Sequence, residues 1–184
     1  MPHTPILWTF RRCPYAMRAR LTILYTGITT DLRDILLKDK PSEFTDTSPK
    51  ATVPVLNTGT EIIAESRDIM LWALDQHDPK GWLDQPGDAA ALIDMTDGPF
   101  KQALDHTKYA VRSTDRDASI DRATAAEFLH NITNLLAINT NLFGNTPKMT
   151  HIALPPLHHQ SSNTTRPSFT TPYSPEHIPH CTTS

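Results

Sequence analysis

Apolar residues crowd into Ile6-Leu7-Trp8-Thr9-Phe10 and then recur at helical spacing through Met17, Leu21, Leu24 and Tyr25 until Gly27. That change of period predicts a strand handing over to a helix at Arg11-Arg12-Cys13-Pro14. Residues 30–38 alternate around Leu32, Ile35 and Leu37 and read as a second strand, which completes a βαβ unit. A polar loop through Lys38, Lys40, Pro41, Ser48, Pro49 and Lys50 follows. Thr52-Val53-Pro54-Val55-Leu56 and Glu61-Ile62-Ile63, joined by the turn at 57–60, predict a hairpin of two short strands. Pro54 cannot donate to a ladder, so inside this apolar run it marks a special backbone conformation, a cis bond among the options. Ile69, Met70, Ala73 and Leu74 then repeat at helical spacing behind Ser66, a cap candidate, and stop before Asp78-Pro79-Lys80-Gly81.

Beyond that point strand signals cease. A polar stretch with Pro79, Gly81, Pro86 and Gly87 is followed by two long helical patterns, 89–111 with a bend at Gly98-Pro99, and 120–139 through Ala123, Phe128, Leu129, Ile132, Leu135 and Leu136. From Gly144 onward prolines are dense, and only 152–157 retains the look of a helical turn or two. The expected layout is an α/β domain of the order βαβ-ββα over 1–80, a linker at 81–87, an all-α domain over 88–157 and an irregular tail over 158–184.

Composition changes this picture little. A net charge of −3 gives no nucleic-acid footprint, and no apolar run reaches the roughly 20 residues of a membrane span. The opening Met-Pro-His-Thr-Pro has no cationic and apolar succession of a signal peptide, and the two cysteines, Cys13 and Cys181, suggest a reducing cytoplasm.

Candidate chemistry centres on Cys13. Pro14 suits a first helical position, so the thiol faces free backbone N–H groups and the positive end of a helix dipole, with Arg11, Arg12 and Arg18 near in sequence. Such surroundings favour thiolate and a reactive cysteine; an inert cysteine at a helix start fits the same residues. Likewise Ser66 reads as a plain cap or a ligand donor, Glu65 and Lys40 as solvated charges or ligand partners, and Pro54 as a turn proline or a binding element. The late histidines, His151, His158, His159, His177 and His180 beside Cys181, lie where little holds them in place, and no metal is expected. Lys101, Lys108 and Arg112 share one helix face, either solvated or lining a cleft.

In combination, Cys13-Pro14-Tyr15-Ala16, Lys40-Pro41, Val53-Pro54 and Glu65-Ser66 resemble the glutathione S-transferases, in particular the cysteine-type, omega-like branch and its bacterial relatives. The resemblance covers roughly residues 5–157 and is strongest over the first 80. It implies a thioredoxin-like N-terminal domain, a helical C-terminal domain and usually a homodimer. It further implies Cys13 as the nucleophile meeting the glutathione sulfur, and a cis Pro54 whose neighbour Val53 offers backbone N–H and C=O to the tripeptide. Glu65 would hold the γ-glutamyl ammonium, Ser66 its carboxylate, and Lys40 the glycyl carboxylate; Tyr15 and Tyr25 would be packing residues.

Ala16 narrows the chemistry. A dithiol oxidoreductase would place a second cysteine there to resolve a mixed disulfide, so a single thiol is expected to act and a second glutathione to release it. Glutathione conjugation to electrophiles and a non-enzymatic interaction module are the alternatives. The family usually begins the core helix of its second domain with Ser or Thr followed three residues later by Asp. Here Lys148 and His151 stand at those positions, which predicts the loss of about 1 kcal/mol of capping. With no counterpart to the final helices, the C-terminal domain is expected to be incomplete or reworked.

Overall fold

A computed structural model describes residues 4–109 and 118–154. The elements run β1 (Ile6–Thr9), α1 (Pro14–Thr26), β2 (Asp31–Asp34), α2 (Ser42–Thr47), β3 (Val55–Asn57), β4 (Ile62–Ile63) and α3 (Ser66–Gln76). Then follow α4 (Asp88–Met95), a π-helical turn (Thr96–Phe100), α5 (Lys101–Tyr109), α6 (Ala118–Ile138) and α7 (Met149–Ala153). The strands form one sheet in the order β2-β1-β3-β4, with β1 and β2 parallel and the other pairs antiparallel. This is a thioredoxin-like unit followed by a helical one, as the alternating and then helical patterns predict.

Strand alternation sorts the core onto two faces. Leu7 and Leu56 point to one side and meet Ala19 and Ile23 of α1 and Ile69 and Ala73 of α3. Trp8 and Val55 point to the other and meet Ile35 and Phe44. Phe44 belongs to α2, a short helix inside the stretch read as a polar loop; its ring centroid lies 5.5 Å from that of Trp8. The strand expected over 30–38 is shorter. Ile35 still donates its N–H to Thr9 O at 2.9 Å, but Leu36 turns back to bridge Asp39, and Leu32 and Leu37 lie exposed on this edge.

The buried face of α1 also differs from the expected one. Leu21 and Leu24 are exposed, whereas Ala16, Arg18, Ala19, Thr22, Ile23 and Thr26 are inside. Close packing on Ala73 of α3 selects small residues there and turns the larger ones outward. Gly27 closes the helix at φ 73°, a left-handed conformation that glycine takes without strain.

In the helical part, Ile93, Phe100, Ala103, Leu104, Ala125, Phe128 and Ile132 form a second core that also takes in Met70 and Leu74 of α3. The bend expected at Gly98-Pro99 is the π-helical turn; Pro99 has no N–H to give to a helical bond, and the wider turn accommodates the gap. The Lys148 side chain makes no cap bond to α7, as expected, but acceptors come from elsewhere. The first two N–H groups of the helix donate to Trp82 O at 3.1 Å and Gln85 Oε1 at 3.3 Å, so the 81–87 segment supplies the acceptors that Lys148 lacks. Arg112, Leu157, His158, His159, His177, His180 and Cys181 lie outside the described residues, as does the side chain of Lys108.

Candidate functional site

Cys13 is the N-cap of α1, with Pro14 in the first turn. The bend ahead of it is held by its own N–H donating to Phe10 O at 3.0 Å and by Arg20, which donates to Thr9 Oγ1 at 2.9 Å and to Arg11 O at 3.1 Å. Across from it the chain enters β3 through a cis Val53–Pro54 bond, and Cys13 Sγ lies 3.5 Å from Val53 O. Pro54 therefore sits just before the ladder, where its missing N–H breaks no pairing.

A cavity of about 670 Å³ opens beside this contact, a size suited to a small ligand. Thr52, Val53 and Pro54 form one wall, and Glu65, Ser66 and Asp68 at the start of α3 form another. No side chain caps that helix end, so its first N–H groups and the positive end of its dipole face the cavity. Residues 7–81 match the family model described as Glutathione S-transferase, N-terminal domain. Over that stretch the chain is similar to the glutathione S-transferases.

Two curated proteins show the same likeness. A "Probable glutathione transferase" of Aplysia californica is 50% identical over 46 residues, covering 25% of this chain and 50% of the relative. "Glutathione S-transferase DHAR2" of Arabidopsis thaliana is 27% identical over 150 residues, covering 80% of this chain and 66% of the relative. The chain thus spans half to just under two thirds of the length of these relatives. Among solved structures, glutathione transferase Omega 3C from Trametes versicolor superposes with a TM-score of 0.73 over 88% of this chain and 75% of that one. At 18% identity, that likeness is one of fold.

Within this fold, the residues singled out from the sequence divide. Val53, Pro54, Glu65 and Ser66 line the cavity; Cys13 is joined to it through Val53. Lys40 is exposed and does not line it, whereas Lys50 does, its Nζ 3.6 Å from Glu65 Oε1. Tyr15 also lines the cavity instead of only packing. Its phenol is pushed up to about 12, first by burial and then by the charge of Asp97.

Asp97 escaped the sequence reading, and Arg18, read there as a cation near Cys13, turns to other partners. Arg18 is buried and donates Nε–H to Ser66 Oγ at 3.0 Å, both terminal nitrogens to Asp97 at 2.8 and 2.7 Å, and a further bond to Ala153 O at 3.4 Å. Asp97 comes from the π-helical turn and lines the cavity from the helical side. Nothing short-range announces this fork, because its two carboxylate bonds span 79 positions. Arg11 and Arg12 are exposed, and Arg12 lies over the Phe10 ring. Among the described residues no group of three or more His, Cys, Asp and Glu is placed to hold a metal, and no helix is long and apolar enough to cross a membrane.

Proposed function

We propose that this chain is a cysteine-type glutathione-dependent thiol transferase that works through one thiol. The observation carrying this reading is the contact of Cys13 Sγ with Val53 O, next to the cis proline and the cavity. A tripeptide laid along Val53 would bring its own sulfur to Cys13, while its charged ends find partners on either side. Glutathione has two carboxylates and one ammonium. The uncapped start of α3 with Ser66 answers the γ-glutamyl carboxylate, and Glu65 answers the ammonium. Lys50 lines the cavity and Lys40 does not, so the reading gives the glycyl carboxylate to Lys50 in place of Lys40.

Cys13 thiolate attacks the glutathione sulfur of a mixed disulfide between glutathione and a second thiol, forming a Cys13–glutathione disulfide and expelling that second thiol as its thiolate. A second glutathione thiolate then attacks the glutathione sulfur of that adduct, which frees Cys13 and yields oxidised glutathione. Ala16 is fully buried in α1 where a dithiol enzyme would keep its resolving thiol, which supports the one-thiol route. With dehydroascorbate as the oxidant, Cys13 and one glutathione supply the two electrons and two protons and become joined as the same Cys13–glutathione disulfide, which a second glutathione resolves. The reading takes the protein as cytoplasmic and as a homodimer, and sedimentation equilibrium checks the dimer.

Incubation with oxidised glutathione followed by intact-mass measurement tests the mechanism. One glutathione adduct is expected, absent in Cys13→Ser and retained in Cys181→Ser. An adduct that survives Cys13→Ser, or thiol-transfer activity that does, would refute it.

A further inference from the structure

Arg18 reaches the cavity wall, yet its guanidinium is taken up by protein partners, and it is the most heavily bonded side chain there. A guanidinium carries only donors, whereas a serine hydroxyl has one O–H and two acceptor lone pairs. With Arg18 Nε–H on Ser66 Oγ at 3.0 Å, one lone pair is occupied from the protein side, and the hydroxyl hydrogen cannot point at the guanidinium. Ser66 lines the cavity, so its O–H is left to face inward as a donor. Arg18 in turn is gripped by the two oxygens of Asp97, by Ala153 O at the end of α7, and by the Tyr15 ring beneath it at 5.1 Å. Every one of these anchors but Tyr15 belongs to the helical half of the chain.

We infer that Arg18 and Asp97 are positioning residues. Anchored by the helical half, they hold the Ser66 hydroxyl as a donor aimed at an incoming carboxylate. The inference rests on the assignment of the γ-glutamyl carboxylate to Ser66. It makes carboxylate recognition by the thioredoxin-like half depend on a turn of the other half. Thr96 fixes that turn: fully buried, it donates Oγ1–H to Leu92 O at 2.7 Å.

Asp97 also faces the cavity, so it could instead meet the ligand ammonium directly, and the test must separate the two. Binding of S-methylglutathione, which cannot exchange thiols, is measured by calorimetry beside two analogues. The 4-aminobutanoyl-cysteinyl-glycine form lacks the γ-glutamyl carboxylate, and the glutaryl form lacks the ammonium, each S-methylated. Asp97→Asn is expected to weaken S-methylglutathione and the glutaryl analogue about tenfold and the aminobutanoyl analogue less than twofold. In a Ser66→Ala background it should add less than twofold. Asp97→Asn leaves the buried Arg18 charge unpaired, so the Arg18→Met/Asp97→Asn pair, which removes both charges, is measured alongside and should show the same pattern.

A loss that follows the ammonium, one that adds fully to Ser66→Ala, or no loss in either variant overturns the inference. Failure of the underlying assignment looks different. The unaltered protein would then bind the aminobutanoyl analogue as tightly as S-methylglutathione, or bind neither at millimolar concentration, and the inference would fall with it.

Discussion

Tyr15 and Cys13 stand two positions apart at one end of the cavity, and their environments divide the chemistry between them. A tyrosine that activates a glutathione thiol must itself ionise or share its proton readily. Burial and the charge of Asp97 instead push Tyr15 up to about 12, so it stays a neutral phenol at any physiological pH. Difference titration at 295 nm of the unaltered protein against Tyr15→Phe should therefore show no phenolate from this residue below about pH 11. An ionisation near pH 9 would restore the tyrosine-type mechanism. The lysines give a second residue-scale expectation. Lys50→Ala should raise the KM for glutathione roughly threefold, the scale of one exposed ion pair, and Lys40→Ala should leave it unchanged. The reverse order of effects would return the glycyl carboxylate to Lys40. Cys13, Pro54, Glu65 and Ser66 could be picked out of the sequence because each carries its signal locally, in a helix start or a misplaced proline. Arg18 could not, since its meaning lies in Asp97 and Ser66, brought to it only by folding.

At the scale of elements, periodicity located the helices better than their faces. α1 was legible from Pro14 to Gly27, but its apolar stripe through Leu21 and Leu24 points outward, because tight packing on α3 rewards alanine and threonine over leucine. α2 was invisible since one phenylalanine in a polar stretch makes no period. α7 shows a subtler gap between pattern and structure. Its local cap is missing, yet acceptors arrive from the 81–87 segment, and His151 accepts the Leu142 N–H on Nε2 at 2.9 Å. A neutral imidazole accepts on one nitrogen only, so this shorter bond puts the proton on Nδ1, and the 3.4 Å approach of the Lys148 N–H is not a second bond. Burial lowers the His151 pKa below its ordinary value near 6.5. The folded state thus prefers neutral histidine. Its contribution to stability is complete above about pH 6.5, shrinks as the unfolded chain gains the proton, and is lost as pH falls through the lower folded value. Urea unfolding at pH 7.5 and 5.5 should show a decrease in stability that His151→Ala reduces. At pH 7.5 the variant should already be less stable by about 1–3 kcal/mol, from the unpaired Leu142 N–H. An unchanged acid loss in the variant would remove His151 from this role.

Across the whole molecule, the alternation of strand and helix and then helix alone made the two-part architecture legible, while the joint between the parts was not. The 81–87 segment reads as a linker from its prolines and glycines, but it works as a clasp. Trp82 stacks on Tyr25 of α1 with centroids 3.5 Å apart, its carbonyl accepts from the first residue of α7, and Lys148 Nζ donates to Gly81 O at 3.0 Å. Asp78 ties these pieces together. Its carboxylate accepts from the N–H groups of Trp82 and Leu83, each at 2.8 Å, and from the Tyr25 hydroxyl at 3.1 Å. Burial alone would raise its pKa; those hydrogen bonds and the charge of Lys148 outweigh it and hold the group below the usual carboxylate range. A depressed folded value means that this stabilisation is whole above about pH 4 and is lost as pH falls through the folded pKa. Asp78→Ala should therefore cost about 1–2 kcal/mol at pH 7, discounted from the value of a fully buried network because the group is only half-buried, and much less at pH 2.5. The same variant should loosen the seating of the helical half. Near-ultraviolet circular dichroism of the stacked Trp82–Tyr25 pair reads that change directly, and Tyr25→Phe, which keeps the stack and removes only the hydroxyl bond, should retain most of the signal. If Asp78→Ala left both stability and this signal unaltered, the Asp78 network would have no part in holding the two halves together, and their shared core of Met70 and Leu74 and the Arg18–Asp97 pair would carry that role.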